Sequence, residues 1–200
     1  YDATDTYKLY LKYTTKAISV HTGDAFIKNG STTIDDFKLD TSDNQIAGTI
    51  DTVLADSVVG YKFLGFYVIQ KDLNGKVLGD TFASSLYSGN TSFKYSLNTS
   101  SANATQITID KSTLYIVRVY EAKILTAIFD TTLKDEAINQ NINVTLSSTN
   151  KVEIEFNTSV LQTILPTVQI DGMYEFVCWQ SNTIQINNRE FKIDDKYAVD

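Results

Sequence analysis

Cysteine, histidine, proline, methionine and tryptophan each occur once in this 200-residue chain, as Cys178, His21, Pro166, Met173 and Trp179. A single cysteine excludes any disulfide within the chain. With one His and one Cys, neither a Cys/His zinc site nor a Ser-His-Asp triad has the residues it needs. A Cys–His nucleophilic pair would require His21 and Cys178 to meet, although neither stands at a repeated position. Cys178 beside Trp179 in an apolar segment reads instead as an inert buried thiol. Glycine is scarce, with 9 residues, and none form a phosphate-cradling loop. Basic runs are missing as well. Net charge is −7, with 9 basic and 11 acidic residues up to position 107 and 8 and 13 after it. Nucleic acid and anionic membranes are therefore unexpected partners. No apolar stretch approaches the ~20 residues of a membrane span, and no signal peptide is visible. The chain begins at Tyr1 and reads as a fragment of something longer.

What the chain has in quantity is polar β-formers. Asn, Ser, Thr, Ile and Asp abound, and Thr and Tyr suit half-exposed strands. Six Asn-x-Ser/Thr sequons occur, the first at Asn29, and this composition would supply about half of them by chance. Period-two alternation dominates. Tyr7, Leu9, Leu11 and Tyr13 share one face of a predicted strand, and Val152-Glu153-Ile154-Glu155-Phe156 alternates cleanly. Asn74-Gly75 lies between apolar segments and predicts a two-residue hairpin turn. Ser181-Asn182 takes that role later in the chain.

The chain also carries an internal repeat. Residues 13–54 slide onto 120–161 without a gap, at an offset of 107. Tyr13 falls on Tyr120, Lys16 on Lys123, Leu39 on Leu146, Val53 on Val160 and Leu54 on Leu161. Leu114–Tyr120 is the counterpart of Tyr7–Tyr13. Beyond position 54 the register moves by six residues, and Tyr61-x-Phe63-x-x-Phe66 matches Tyr174-x-Phe176-x-x-Trp179. Self-similarity at this period predicts a string of small folded units. The expected division is a first β-rich module over 1–107, with an insertion at about 79–106, and a second over 108–200. One short helix per module is expected. Val160, Leu161, Ile164 and Leu165 make one helical stripe that Thr158 or Ser159 would cap and Pro166 would end. Asp51–Val59 is the matching segment, and a further turn is possible at Thr132–Asn139. The fold class is thus mainly β with a minor α part: two tandem modules, β-grasp-like or sandwich-like.

Gly60-Tyr61-Lys62-Phe63-Leu64-Gly65-Phe66-Tyr67 resembles the Gly-Tyr-x-Phe-x-Gly-Trp-Tyr signature of the Listeria–Bacteroides repeat, a β-grasp-like module of bacterial surface proteins. Asp110-Lys111-Ser112-Thr113-Leu114-Tyr115 is similar to that family's closing strand. Gly172–Trp179 is a looser match, with Cys178 at the second Gly. These units are longer than the family's, and Phe66 stands where it has Trp. The resemblance implies a surface-protein setting and brings no catalytic residues.

The aromatic triplets are expected to fill cores, because Tyr and Phe two apart share a strand face. Tyr67 and Trp179 are the candidates for ligand contact, since their polar ends tolerate exposure. Asp35-Asp36, Asp135-Glu136 and Asp194-Asp195 are paired acids, but adjacent acids in turns ordinarily face water rather than each other across a groove. Asp2, Asp5, Asp110, Asp194 and Asp195 gather where modules should join, which makes Ca²⁺ the one cofactor to consider. Lys16 and Lys123 are equivalent and raise the question of an isopeptide crosslink to Asn. Together these readings predict a non-enzymatic, extracellular, tandem-repeat segment of a bacterial cell-surface protein, acting as stalk, spacer or adhesion module. Its partners would be neighbouring repeats, and host or cell-surface proteins or glycans. The alternatives are a phage or viral structural protein and a carbohydrate-binding module.

Overall fold

The computed structural model describes residues 8–14, 17–71, 80–110, 113–131, 143–161, 165–170, 174–176, 179–180, 185–186 and 190–192. Among these residues the chain is mainly β, with no helix. Ten strands make the first body: β1 (Ala17–Ile27), β2 (Thr33–Ile34), β3 (Lys38–Ile46), β4 (Ile50–Leu54), β5 (Tyr61–Gln70), β6 (Asp80–Thr81), β7 (Leu86–Tyr87), β8 (Ser92–Leu97), β9 (Thr105–Ile107) and β10 (Thr113–Ala122). Five of them form a mixed sheet in the order β3-β1-β10-β5-β7. Only the β1–β10 pair in it is parallel, running from Ser19–Thr113 to Ile27–Glu121.

The central place of β10 follows from its sequence. Leu114-Tyr115-Ile116-Val117-Arg118-Val119-Tyr120 is apolar at almost every position, which suits a strand covered on both faces. All of β10 is buried except Arg118 and Glu121, which are half-buried. On one face Leu114 and Ile116 join Ile18, Val20, Phe66, Phe93, Tyr95 and Leu97. The cover there is a second sheet, β4-β8-β9. On the other face Tyr115, Val117 and Val119 meet Ala25, Ile27, Ile34, Tyr67, Ile69 and Phe82, under the short β2–β6 ribbon.

Where a β-grasp would lay a helix across the sheet, this body has a three-stranded sheet, so its packing is sandwich-like. The helix expected from Asp51 is replaced by β4, whose Val53 pairs with Phe93 of β8. A five-residue apolar stripe is compatible with either period, and β-branched Thr52 and Val53 lie well in a strand once a partner is present. Similarly, the stripe at Val160-Leu161 lies in strand β14 (Ser159–Leu161), which pairs with β18 (Glu190–Lys192). Thr132–Asn139, Asn74-Gly75 and Ser181-Asn182 lie outside the described residues.

Two further expectations change together. A module boundary at 107/108 would assign β10 to the second module, yet β10 is the middle of the first sheet. Conversely, the strand expected at Tyr7–Tyr13 does not form among its described residues 8–13. Leu9, Tyr10, Leu11 and Tyr13 stand 96%, 84%, 87% and 84% exposed. A strand needs a neighbour for its backbone groups, and the described residues place none beside this segment.

Past β10 the chain turns directly into β11 (Ile124–Ile128), which pairs antiparallel with β13 (Lys151–Glu155). This echoes the antiparallel β1–β3 pair, with the register displaced by two residues from the 107 offset. The other pairings are β12 (Val144–Leu146) with β15 (Val168–Ile170), and β16 (Trp179–Gln180) with β17 (Gln185–Ile186). The join to the first body is a small clasp. Lys123 N–H donates to Gly60 O at 3.0 Å, and Phe156 N–H donates to Lys123 O at 2.9 Å. The Phe156 ring meets Tyr61 edge-on at 5.1 Å, and Asn157 Nδ2 donates to the Tyr61 hydroxyl at 3.3 Å. Gly60 has φ +76°, and a Cβ there would overlap the Phe156 ring. Glycine is what lets the ring sit on the backbone.

Candidate functional site

A concavity opens where the 79–106 insertion meets Phe66. It is a groove of about 460 Å³ between β5, β7, β8 and the 101–105 loop. Its floor is aromatic. Phe93 stacks with Phe66 at 5.5 Å, lies 4.7 Å from Tyr87 and continues to Tyr95 at 6.0 Å. Alternation in β8 turns Phe93 and Tyr95 inward and Lys94 outward. Phe66 is sealed beneath, whereas Tyr87 is 41% exposed and offers ring surface. Gly65 positions that ring. A Cβ at Gly65 would come within 2.5 Å of Tyr87 O, so its absence lets β7 pair with β5 through Phe66–Tyr87. The walls are polar: Ser88, Asn90, Ser92, Lys94, Asn103 and Thr105.

The loop over the groove is held by its own bonds. Asn98 takes a left-handed turn with φ 56°. Its N–H donates to Ile107 O at 2.9 Å, and its side-chain oxygen accepts from Ile109 N–H at 2.7 Å. The Ser96 hydroxyl donates to Thr99 O. An exposed ring above hydroxyls, amides and one ammonium suits a neutral polyhydroxylated ring, which stacks by its C–H face and hydrogen-bonds at its rim.

Tyr95 behind the floor is buried, and its hydroxyl donates to Gln45 Oε1 at 3.2 Å. Gln45 Nε2 in turn donates to Asp51 at 2.6 Å. Burial, with the Asp51 charge behind it, pushes the Tyr95 phenol up to about 12 from 10.0. Tyr120 is raised as well, by burial and then by Asp24. The unfolded phenol ionises near 10.0 and the folded one only near 12. Stability is complete below pH 10 and falls as pH rises toward 12. Urea midpoints across that window should drop less steeply for Tyr95→Phe than for the native chain. Equal slopes would remove Tyr95 from the alkaline transition.

The residues singled out by sequence lie mostly elsewhere. Tyr67 is a core residue at 9% exposure, 6.3 Å from Phe82, and presents no ring face to a ligand. Trp179 is half-buried against Phe129 at 4.8 Å and Phe176 at 5.4 Å. The triplets fill cores in part. Phe66 is sealed, Tyr61, Phe63, Phe176 and Trp179 are half-buried, and Tyr174 is exposed. The edge-on Phe63–Phe66 contact at 5.1 Å and 69° has a near match in Phe176–Trp179 at 5.4 Å and 62°. His21 stacks on Tyr115 at 5.1 Å. Asp35 and Asp36 are exposed, Asp110 is exposed, and so is Lys123. An exposed ammonium lacks the desolvation that isopeptide formation exploits. Lys16, Cys178, Asp2, Asp5, Asp135, Glu136, Asp194 and Asp195 lie outside the described residues. Among the described residues no three His, Cys, Asp or Glu side chains group as metal ligands, and no helix is long and apolar enough to cross a membrane.

Tyr87 is the residue that sequence reasoning missed. Its only signal was its place in the insertion that separates the two repeats. Comparison of the chain with protein-family models, curated proteins and solved structures gave no match.

Proposed function

We propose that this chain is a non-enzymatic, extracellular tandem-repeat segment of a bacterial surface protein, working as a stalk or spacer that bears load. The observation that carries the reading is the parallel β1–β10 pair. The strand by which the chain enters the sheet lies beside the strand by which it leaves, both running the same way. Tension applied through residue 17 and residue 122 therefore loads the ladder in shear, so its hydrogen bonds must fail together. Antiparallel neighbours pulled at one end would instead unzip one bond at a time. Exit from β10 into β11, with the Gly60–Phe156 clasp, suits transmission of that load to the next unit. The 107-residue repeat and the Listeria–Bacteroides-like signature support the same setting.

Single-molecule stretching of the chain between its termini tests the mechanism. The expected trace contains one abrupt rupture for residues 17–122, at a force well above that for peeling the β11–β13 hairpin. Gradual low-force extension of that body would sink the load-bearing role. Surface labelling of intact source cells by antibodies against the chain tests the location.

A second reading, a carbohydrate-binding module, is favoured by the groove around Tyr87. It needs no change in the first, since a stalk can carry a site on its loops.

A further inference from the structure

Between β8 and β9 the parallel ladder stops one step short, and the groove opens where it stops. We infer that the groove selects a gluco-configured pyranose, whose vicinal equatorial hydroxyls take the open step while the ring lies on Tyr87. The assignment deepens the carbohydrate reading of the groove and rests on it.

Principles of strand pairing fix where the backbone groups of β8 point. Leu97 N–H donates to Thr49 O at 3.2 Å, and Ala55 N–H donates to Thr91 O at 2.8 Å. Odd-numbered residues of β8 therefore turn their N–H and C=O toward β4. Even-numbered ones turn theirs to the opposite edge. Asn98, just past β8, does the same in donating to Ile107 O at 2.9 Å. On that edge the parallel register runs from Tyr95–Thr105 to Leu97–Ile107. Two residues earlier, Phe93 would pair with Asn103, whose N–H would meet Ser92 O and whose C=O would meet Lys94 N–H.

Asn103 does not take that place. Its N–H donates to Ser101 Oγ at 3.4 Å, and Ala104 N–H donates to Ser101 O at 3.4 Å. Residues 101–104 thus curl into a turn. The space beside Phe93 is the groove itself, bordered by Ser92, Lys94 and Asn103. It presents an acceptor, Ser92 O, and a donor, Lys94 N–H, pointing the same way.

Hydroxyls on neighbouring carbons of a pyranose answer both, because each can donate or accept. When both are equatorial they lie near the plane of the ring and leave its faces to C–H groups. One face can then rest on the Tyr87 ring, which stands 4.7 Å from Phe93 and is 41% exposed. The edge hydroxyls meanwhile reach Ser92 O and Lys94 N–H on the flank of Phe93. An axial hydroxyl leaves that plane and forfeits one of the two bonds. A peptide could make the same pair of bonds, but strand addition draws its affinity from a run of such steps. Here the open stretch of β8 is short, from Ser92 to Lys94, because β9 covers the rest.

Binding of β-1,4-linked trisaccharides of glucose and of mannose to the full chain tests this, by titration calorimetry and by the backbone amide resonance of Lys94. The two sugars differ only in the 2-hydroxyl, equatorial in glucose and axial in mannose. The glucose trimer should bind about tenfold tighter, and it alone should shift the Lys94 resonance strongly. Tyr87→Ala should abolish binding of both. β4 takes no bond from Lys94 N–H, so Lys94→Pro removes a donor from the groove and should level the two affinities. Lys94→Ala keeps that N–H and should keep the preference. The resonance readout stands whether or not the proline variant folds. Equal binding of both trimers, or a Lys94 resonance that glucose leaves in place, overturns the diol assignment and leaves the carbohydrate reading standing. Binding of neither trimer overturns both, and a Lys94 shift with acetyl-trialanine amide alone would make the groove a peptide site.

Discussion

Arg118→Leu is expected to destabilise the first sheet by about 2–3 kcal/mol, read as a fall in urea midpoint at unchanged slope. The guanidinium bridges Asp24 and Asp40 and donates to Leu54 O at 3.2 Å. It is the one charge within the apolar run of β10. Without it, two carboxylates on neighbouring strands β1 and β3 are left close together on a partly buried sheet face. Breaking a fully buried pair typically costs about 3–5 kcal/mol. Asp24 and Asp40 keep 24% and 32% of their side-chain exposure, so solvent screening lowers that figure. The triple variant Arg118→Leu, Asp24→Thr, Asp40→Ser copies Leu11, Thr131 and Ser147, the residues 107 positions away in the repeat. It should recover stability to within about 1 kcal/mol of the native chain, because a buried ionic group exchanged whole for neutral residues is often neutral. A triple variant as damaged as the single one would show that the side chain matters by shape and not by charge.

Gly60→Ala should cost about 3 kcal/mol. Left-handed backbone costs a residue with a Cβ roughly 1–2 kcal/mol, and the new methyl would overlap the Phe156 ring, adding about 1–3 kcal/mol of overpacking. Phe156 is 3% exposed, so Phe156→Ala alone should cost about 3–5 kcal/mol. The double variant is the informative one. With the ring removed, the alanine methyl has room, and the combined loss should fall short of the sum by about 1–3 kcal/mol. Additive losses in thermal or urea unfolding would mean that Gly60 is needed for its φ alone. Because the clasp joins β11 and β13 to the first body, Gly60→Ala should also loosen that junction.

Much of the core was legible in sequence because it depends on local pattern. Leu114–Tyr120 announces a strand buried on both faces, since few other places accept seven nearly continuous apolar residues. Period two puts Tyr61 and Phe63 on one face, and Phe66 joins Phe63 only because the strand register shifts between them. The alternation at Tyr7–Tyr13 was legible too, and it misled only about the outcome. It encodes a strand, but among the described residues no neighbour completes it. The short stripes at Val53-Leu54 and Val160-Leu161 were ambiguous for another reason. Over so few residues the helical and extended periods coincide, and only pairing with β8 and β18 resolved them. The groove was nearly invisible. Tyr87 belongs to a two-residue strand, and its exposure depends on how close Gly65 lets the backbone of β7 come.

The sequence by itself determined the β class, the acidic and disulfide-free character, the repeat and the residues able to fill a core. These depend on composition and on spacing along one segment. The tertiary structure alone decided that β10 completes the sheet before it, that Arg118 holds Asp24 and Asp40, and that Tyr67 is interior while Tyr87 is not. The physical reason is that strand pairing is made by backbone groups common to every residue. A strand's sequence states that it needs neighbours, and only the fold states which ones.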